Sequence, residues 1–137
     1  MKYLVDANVL SEPTKPLFVQ RVADWIDAHE AELVSCAPVF GEIWRGIHAL
    51  PPGQKKDRLA EWFRRLRKKV PSLDWTTETA LVWAETVNKV KRDGYTAGVL
   101  DTQIAATAKH HGLVVATRNV DDFTRCGVPV VNPFVAA

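Results

Sequence analysis

An α/β fold with a mainly parallel central sheet flanked by helices follows from three features of this sequence. Short apolar runs, each too brief for a helix, alternate with longer stretches of helical periodicity. Those longer stretches have the length that crossover connections between parallel strands require. The chain of 137 residues, 47% hydrophobic and 25% charged, suits a single domain over residues 1–137 and lies outside the disordered and low-complexity classes.

The elements follow in order. Lys2-Tyr3-Leu4-Val5 reads as a buried strand that stops at Asp6, and Glu32 to Ala37 and Leu113 to Ala116 read the same way. Val128 to Val131 contains Pro129 and suits an edge strand. Between the first two strands, Phe18, Val22, Trp25 and Ile26 mark one helix; after the second strand, Val39, Phe40, Ile43, Ile47 and Leu50 mark another. After the breaker Pro51-Pro52-Gly53, the stretch Gln54 to Val70 carries Leu59, Trp62, Phe63 and Leu66 at helical spacing. Thr79 to Arg92 and Val99 to His111 are two further helices, each followed by a glycine stop, at Gly94 and Gly112. Trp25, Trp44, Trp75 and Trp83 are expected in the core, and His110-His111 against the terminal carbonyls of their helix.

Charge is unevenly spread. The formal net charge is only +2, yet Gln54 to Lys69 holds eight basic and two acidic side chains, so one basic element sits on a mildly acidic body. Such a helix is a solvated face packed on its own core, a track for RNA phosphates, or a docking surface for a partner. Cys36 and Cys126 lack CxxC spacing and read as buried reduced thiols. No stretch approaches the about 20 apolar residues of a membrane span, and Asp6 arrives too early for a secretory signal, which points to the cytoplasm.

In open parallel sheets, sites gather beyond the carboxyl ends of the strands. Asp6 follows the first strand, Glu42 lies early in the helix after the second, Asp101 opens the helix leading into the third, and Asp121-Asp122 come shortly after the third. Four acidic positions, distant in sequence, are thereby expected at one sheet edge. Crowded carboxylates are unfavourable unless protons or a cation neutralise them. A hard divalent cation, Mg²⁺ or Mn²⁺, takes oxygen ligands, keeps several waters and activates one toward a phosphodiester. His29, His48, His110, His111 and the cysteines show no zinc spacing, and neither a Gly-rich phosphate loop nor a GxSxG elbow is present.

The runs Leu4-Val5-Asp6-Ala7-Asn8-Val9-Leu10, Phe40-Gly41-Glu42-Ile43, Leu100-Asp101-Thr102-Gln103-Ile104-Ala105 and Thr117-Arg118-Asn119-Val120-Asp121-Asp122-Phe123 resemble, in order and spacing, a PIN-domain ribonuclease. More narrowly, the chain resembles the VapC-type toxin of a bacterial type II toxin–antitoxin pair. The resemblance implies a metal-dependent endoribonuclease with Asp6, Glu42, Asp101 and Asp122 as its acidic site. Asp6, Asp101 and Asp122 would hold Mg²⁺ or Mn²⁺ directly or through water, Glu42 would orient or deprotonate the attacking water, and Asn119 and Thr117 would support them. Asp121, or the position of Asn119, competes for the fourth acidic role. The resemblance also implies an RNA substrate, a small DNA-binding antitoxin, a homodimer in which Trp62 and Phe63 could cover a partner, and no membrane association.

Each acid also has an ordinary structural role available. Asp6 suits a helix N-cap, Asp101 and Asp122 suit helix dipoles, and Glu42 suits an ion pair with Arg45 three residues on. Other readings of the whole chain are a PIN nuclease of RNA processing without an antitoxin and a catalytically silent binding module. A phosphotransferase using Asp6 as nucleophile is disfavoured because Asn8 stands where its second aspartate is expected.

Overall fold

The computed structural model describes residues 1–136. Five parallel strands form one sheet in the order β3-β2-β1-β4-β5: β1 is Tyr3–Val5, β2 Leu33–Cys36, β3 Ser72–Leu73, β4 Val114–Ala116 and β5 Val130–Val131. The three strands expected near residues 2–5, 32–36 and 113–116 are neighbours, with β1 between the other two. Every residue of β2 is buried, as expected for a strand covered on both faces by crossover helices.

Around the sheet lie α1 (Ala7–Leu10), α2 (Gln20–His29), α3 (Ala37–His48), α4 (Gln54–Lys69), α5 (Thr77–Arg92), α6 (Val99–His111) and α7 (Val120–Arg125). Leu4, Val5, Val34, Val115, Ile104 and Phe123 are inaccessible to solvent and form the centre of the core. The helix α6 buries Ile104 together with Thr102, Ala105, Ala106, Thr107 and Ala108, small residues that allow close approach to α5 and α3. It ends on Gly112, whose φ of 66° is the left-handed conformation that glycine adopts without penalty. Among the described residues no helix is long and apolar enough to cross a membrane.

Several expectations shift. The strands are shorter than the apolar runs: Glu32 belongs to a 3₁₀ turn, Leu113 precedes β4, and Val128-Pro129 precede β5. Phe18 lies ahead of α2 and is exposed, because the chain enters that helix in an extended conformation at Val19. The tryptophans are not core residues: Trp44 is 40% exposed, and Trp25, Trp75 and Trp83 are half-buried, while the buried aromatics are Phe40, Phe63 and Phe123. His110 does not serve its helix end. Its Nδ1 meets Thr79 Oγ1 of α5 at 2.8 Å instead. Cys36 and Cys126 are free and buried.

Candidate active site

Asp6 leaves the carboxyl end of the central strand and is 4% exposed. Because Val5 pairs with Ala116, Asp6 falls level with Thr117, the residue after β4. The Asp6 amide donates to Ala116 O (2.9 Å), continuing the ladder one step past the strand. Its Oδ1 accepts the Ala7 N–H at 2.7 Å, so it caps α1; its Oδ2 accepts from the Thr117 hydroxyl (2.8 Å) and from Asn8 Nδ2 (3.2 Å). Capping is thus a real role of Asp6, but it uses only one of its two oxygens.

A second layer holds these partners. Thr117 Oγ1 accepts the Asn119 N–H (3.0 Å), and Asn8 Oδ1 accepts the Arg118 N–H (3.1 Å), tying the turns after β1 and β4 together. The Ser35 hydroxyl donates to Val5 O at 2.8 Å, fixing β2 to the residue before Asp6. Burial pushes the Asp6 carboxyl above its ordinary range; the bonds from Thr117, Ala7 and Asn8 oppose this, and the charge of Glu42 adds to it.

Asp101 lies in the first turn of α6 and is half-buried. Its carboxyl is pushed up to about 6, first by burial and then by the charges of Asp6 and Asp122. Residues more than ninety positions apart in sequence therefore sit in one electrostatic field. Asp122, in the first turn of α7, is half-buried, whereas Asp121 beside it is exposed. Phe123, fully buried next to Asp122, anchors that short helix.

Glu42 stands at the rim. Its charge reaches Asp6, while its carboxylate is gripped by Arg45, Nη2 to Oε1 at 2.6 Å and Nε to Oε2 at 3.2 Å. The ion pair foreseen as its ordinary role is therefore formed. Among the described residues, no three His, Cys, Asp or Glu side chains converge as they stand on a point that would hold an ion. The donor chemistry nevertheless suits a hard cation. The available groups are carboxylate oxygens, their mutual repulsion is uncompensated at Asp101, and the nearby Cys36 thiol is pushed up to about 12 by burial and so stays protonated.

Beside this site runs a groove of about 320 Å³ between α1, α3 and α4, lined by Ala7, Glu42, Ile43, Ile47, Leu59 and Trp62. The basic face of α4 stays in solvent, while Phe63 and Leu66 pack inward, Phe63 edge-on to Phe40 at 5.9 Å.

A family model described as the PIN domain matches residues 3–128. This chain belongs to the PIN-domain family. Among its relatives, toxin FitB of Neisseria gonorrhoeae is 34% identical, over 96% of this chain and 97% of that protein. The VapC ribonuclease Y4jK of Sinorhizobium fredii is 33% identical over 98% of this chain and 99% of that one. A solved structure of FitAB bound to an IR36 DNA fragment contains a chain that superposes with a TM-score of 0.91 at 30% identity, covering 98% of this chain and 97% of its own. The likeness to these PIN proteins therefore extends over nearly the entire chain, not the acidic motifs alone.

Three supporting groups escaped the sequence reading. Asn8 figures there only in the run after the first strand and as an argument against phosphotransfer, although its place two residues after Asp6 is a usable signal. Ser35 had none, being one polar residue in a buried strand. Glu12 is 2% exposed, accepts the Val19 N–H at 2.9 Å and pairs with Lys15 at 3.0 Å. These partners, the Val19 bond foremost, hold its carboxyl below the usual range and fasten the loop before α2.

Proposed function

We propose that this PIN domain is the toxin of a toxin–antitoxin pair, a metal-dependent endoribonuclease whose site is Asp6, Glu42, Asp101 and Asp122. The observation that carries the reading is the buried Asp6, locked by Thr117 and Asn8, with Asp101 raised to about 6 by burial and by the charges of Asp6 and Asp122. A protein with no use for a cation gains nothing from this repulsion.

Asp6, Asp101 and Asp122 would hold Mg²⁺ or Mn²⁺, directly or through water, with Glu42 at the edge. Such a cation, when bound, lowers the pKa of water and screens phosphodiester charge. Thr117 and Asn8 keep the Asp6 carboxylate in a single orientation, and Oδ1, which accepts only the Ala7 N–H, would have a lone pair left for the cation. Glu42 Oε takes the proton of the attacking water as one P–O bond forms and the bond to the departing ribose oxygen breaks; that oxygen is protonated from solvent. Asn119, exposed at the start of α7, is free to orient water, and exposed Asp121 is less suited than Asp122 to the fourth acidic role.

Similarity to toxin FitB and to the FitAB structure supports an antitoxin partner that is itself a small DNA-binding protein. The groove of Ile43, Ile47, Leu59 and Trp62, ending at Glu42, would receive an apolar segment of that partner. A homodimer and a cytoplasmic location belong to the same reading.

Purified wild-type protein is expected to cut single-stranded RNA when Mg²⁺ or Mn²⁺ is added and to stop with chelator. Its expression alone is expected to arrest bacterial growth. D6N is expected to fold, to leave RNA intact and to permit growth. Cleavage by D6N at the wild-type rate would overturn the site assignment, and metal-independent cleavage by wild type would overturn the chemistry.

A further inference from the structure

The charge arrangement around Glu42 assigns a role to a residue outside the acidic site. We propose that Arg45 is an RNA-phosphate-binding residue: it surrenders Glu42 to grip a phosphodiester beside the scissile bond, leaving Glu42 free to turn toward Asp6. This inference rests on the ribonuclease reading above.

An acidic site repels RNA. Before metal is bound, Asp6, Asp101, Asp122 and Glu42 repel a polyanion, so an accessible cation is needed at the rim. Arg45 stands there, with a side chain 76% exposed, on the solvent side of a Glu42 whose own charge reaches Asp6. It engages Glu42 through two parallel contacts, Nη2 at 2.6 Å and Nε at 3.2 Å. That fork fits the two non-bridging oxygens of a phosphodiester as well as it fits a carboxylate. Exposed ion pairs three residues apart contribute little to stability, so exchanging one anion for another costs little.

The second arginine of the rim is placed differently. Arg125 lies 4.0 Å from Asp122, three residues along α7, but its guanidinium sits over the Tyr95 ring at 4.3 Å from the centroid. Arg125 is therefore engaged by the fold, whereas among the described residues the polar partner of the Arg45 guanidinium is the carboxylate it would release. The exchange also has a consequence for the site. Arg45 holds the Glu42 carboxylate in the free protein, and a phosphate on Arg45 removes that restraint only when substrate is present.

The test measures binding of a fluorescent single-stranded oligoribonucleotide by anisotropy, in EDTA to prevent cleavage, between 50 and 200 mM salt. R45Q is expected to bind about tenfold more weakly at 50 mM salt and to lose about 0.7 from the slope of log affinity against log salt, the value of one phosphate contact on a single strand. E42Q is expected to bind more tightly than wild type, because Arg45 is then free. In the E42Q background R45Q should still lose about tenfold. R45K, which keeps the charge but not the fork, should recover the slope and only part of the affinity.

Unchanged binding by R45Q would overturn the proposal, as would a loss seen only when Glu42 is present, which would mean that Arg45 merely masks its partner's charge. So would wild-type binding that is absent or insensitive to salt. The underlying ribonuclease reading fails separately, if wild type leaves RNA intact with Mn²⁺. Wild-type cleavage together with unaltered R45Q affinity would reject Arg45 alone.

Discussion

The candidate site has two halves built in opposite ways. The inner half, Asp6 with Thr117, Asn8 and Ser35, extends the hydrogen-bond ladder of the sheet by one residue, and Asp6, Thr117 and Ser35 are buried while Asn8 is half-buried. The outer half, Glu42 and Asp122, stands on helices, with side chains 36% and 45% exposed and an arginine three residues further along each helix. Strand ends in register can place an oxygen within a hydrogen bond's tolerance, because each neighbouring strand constrains it. Helix-borne carboxylates at a rim retain rotamer freedom, which suits groups that must respond to a cation and a substrate. A fixed half presets one ligand, and an adjustable half completes the site.

Breaking the inner half should have the largest effect. Asp6→Asn keeps the shape of the side chain but removes its charge, and cleavage is expected to fall by more than about 100-fold, beyond what losing an outer hydrogen-bond partner ordinarily costs. A time course of RNA cleavage in Mn²⁺ checks it. Thr117→Val leaves Asp6 charged yet deletes its buried hydroxyl donor. An activity loss of about 10- to 100-fold is expected, with about 1–3 kcal/mol of stability lost from a buried bond to a charged group, read from urea melts.

Asp101 joins the halves, and its pH dependence sharpens the contrast. Its carboxyl titrates near 6 in the folded, metal-free protein, against 3.8 as the ordinary value. The native state therefore holds the proton more tightly than the unfolded chain does. Its cost to stability is absent below about pH 4, grows as pH rises toward 6 and is complete above that. Asp101→Asn removes the cost, so in EDTA the variant is expected to be more stable than wild type at pH 7, by about 1 kcal/mol after allowing for solvent screening of a half-buried group. The two proteins should converge near pH 4. Equal urea midpoints at pH 7 would show that Asp101 is not strained by its neighbours. The smallest effect belongs to the outer half: Glu42→Gln breaks the exposed pair with Arg45 and should change stability by less than about 0.5 kcal/mol, although the same change should impair cleavage.

Four of the five strands are legible in the sequence as apolar runs, and Asp6, Asp101 and Asp122, whose charges act on one another, each follow or open an element. What escaped has physical reasons. Ser72–Leu73 is too short to show a period, and it is a strand only because β2 lies alongside, with the Ser35 amide donating to Pro71 O at 2.9 Å. The helix Ala7–Leu10 is a single turn whose start is set by Asp6. Tryptophan leaves the interior because a hydrophobic side chain still has to fit, and the α6 face of the core presents Ala105, Ala106 and Ala108. The bond between His110 and Thr79 joins two helices and leaves no local trace. Electrostatic coupling of Asp6, Asp101 and Asp122 likewise depends on the sheet register, which motifs suggest but do not specify.

The most direct measurement of the central claim is a calorimetric titration of Mn²⁺ into the RNA-free protein at pH 7, comparing wild type, D6N, D101N and R45Q. Wild type is expected to bind saturably, D6N and D101N at least about 100-fold more weakly or not detectably, and R45Q nearly as wild type does. Wild-type affinity retained in D6N and D101N would contradict that claim, because the buried acids at the ends of the strands would then have no part in holding the metal.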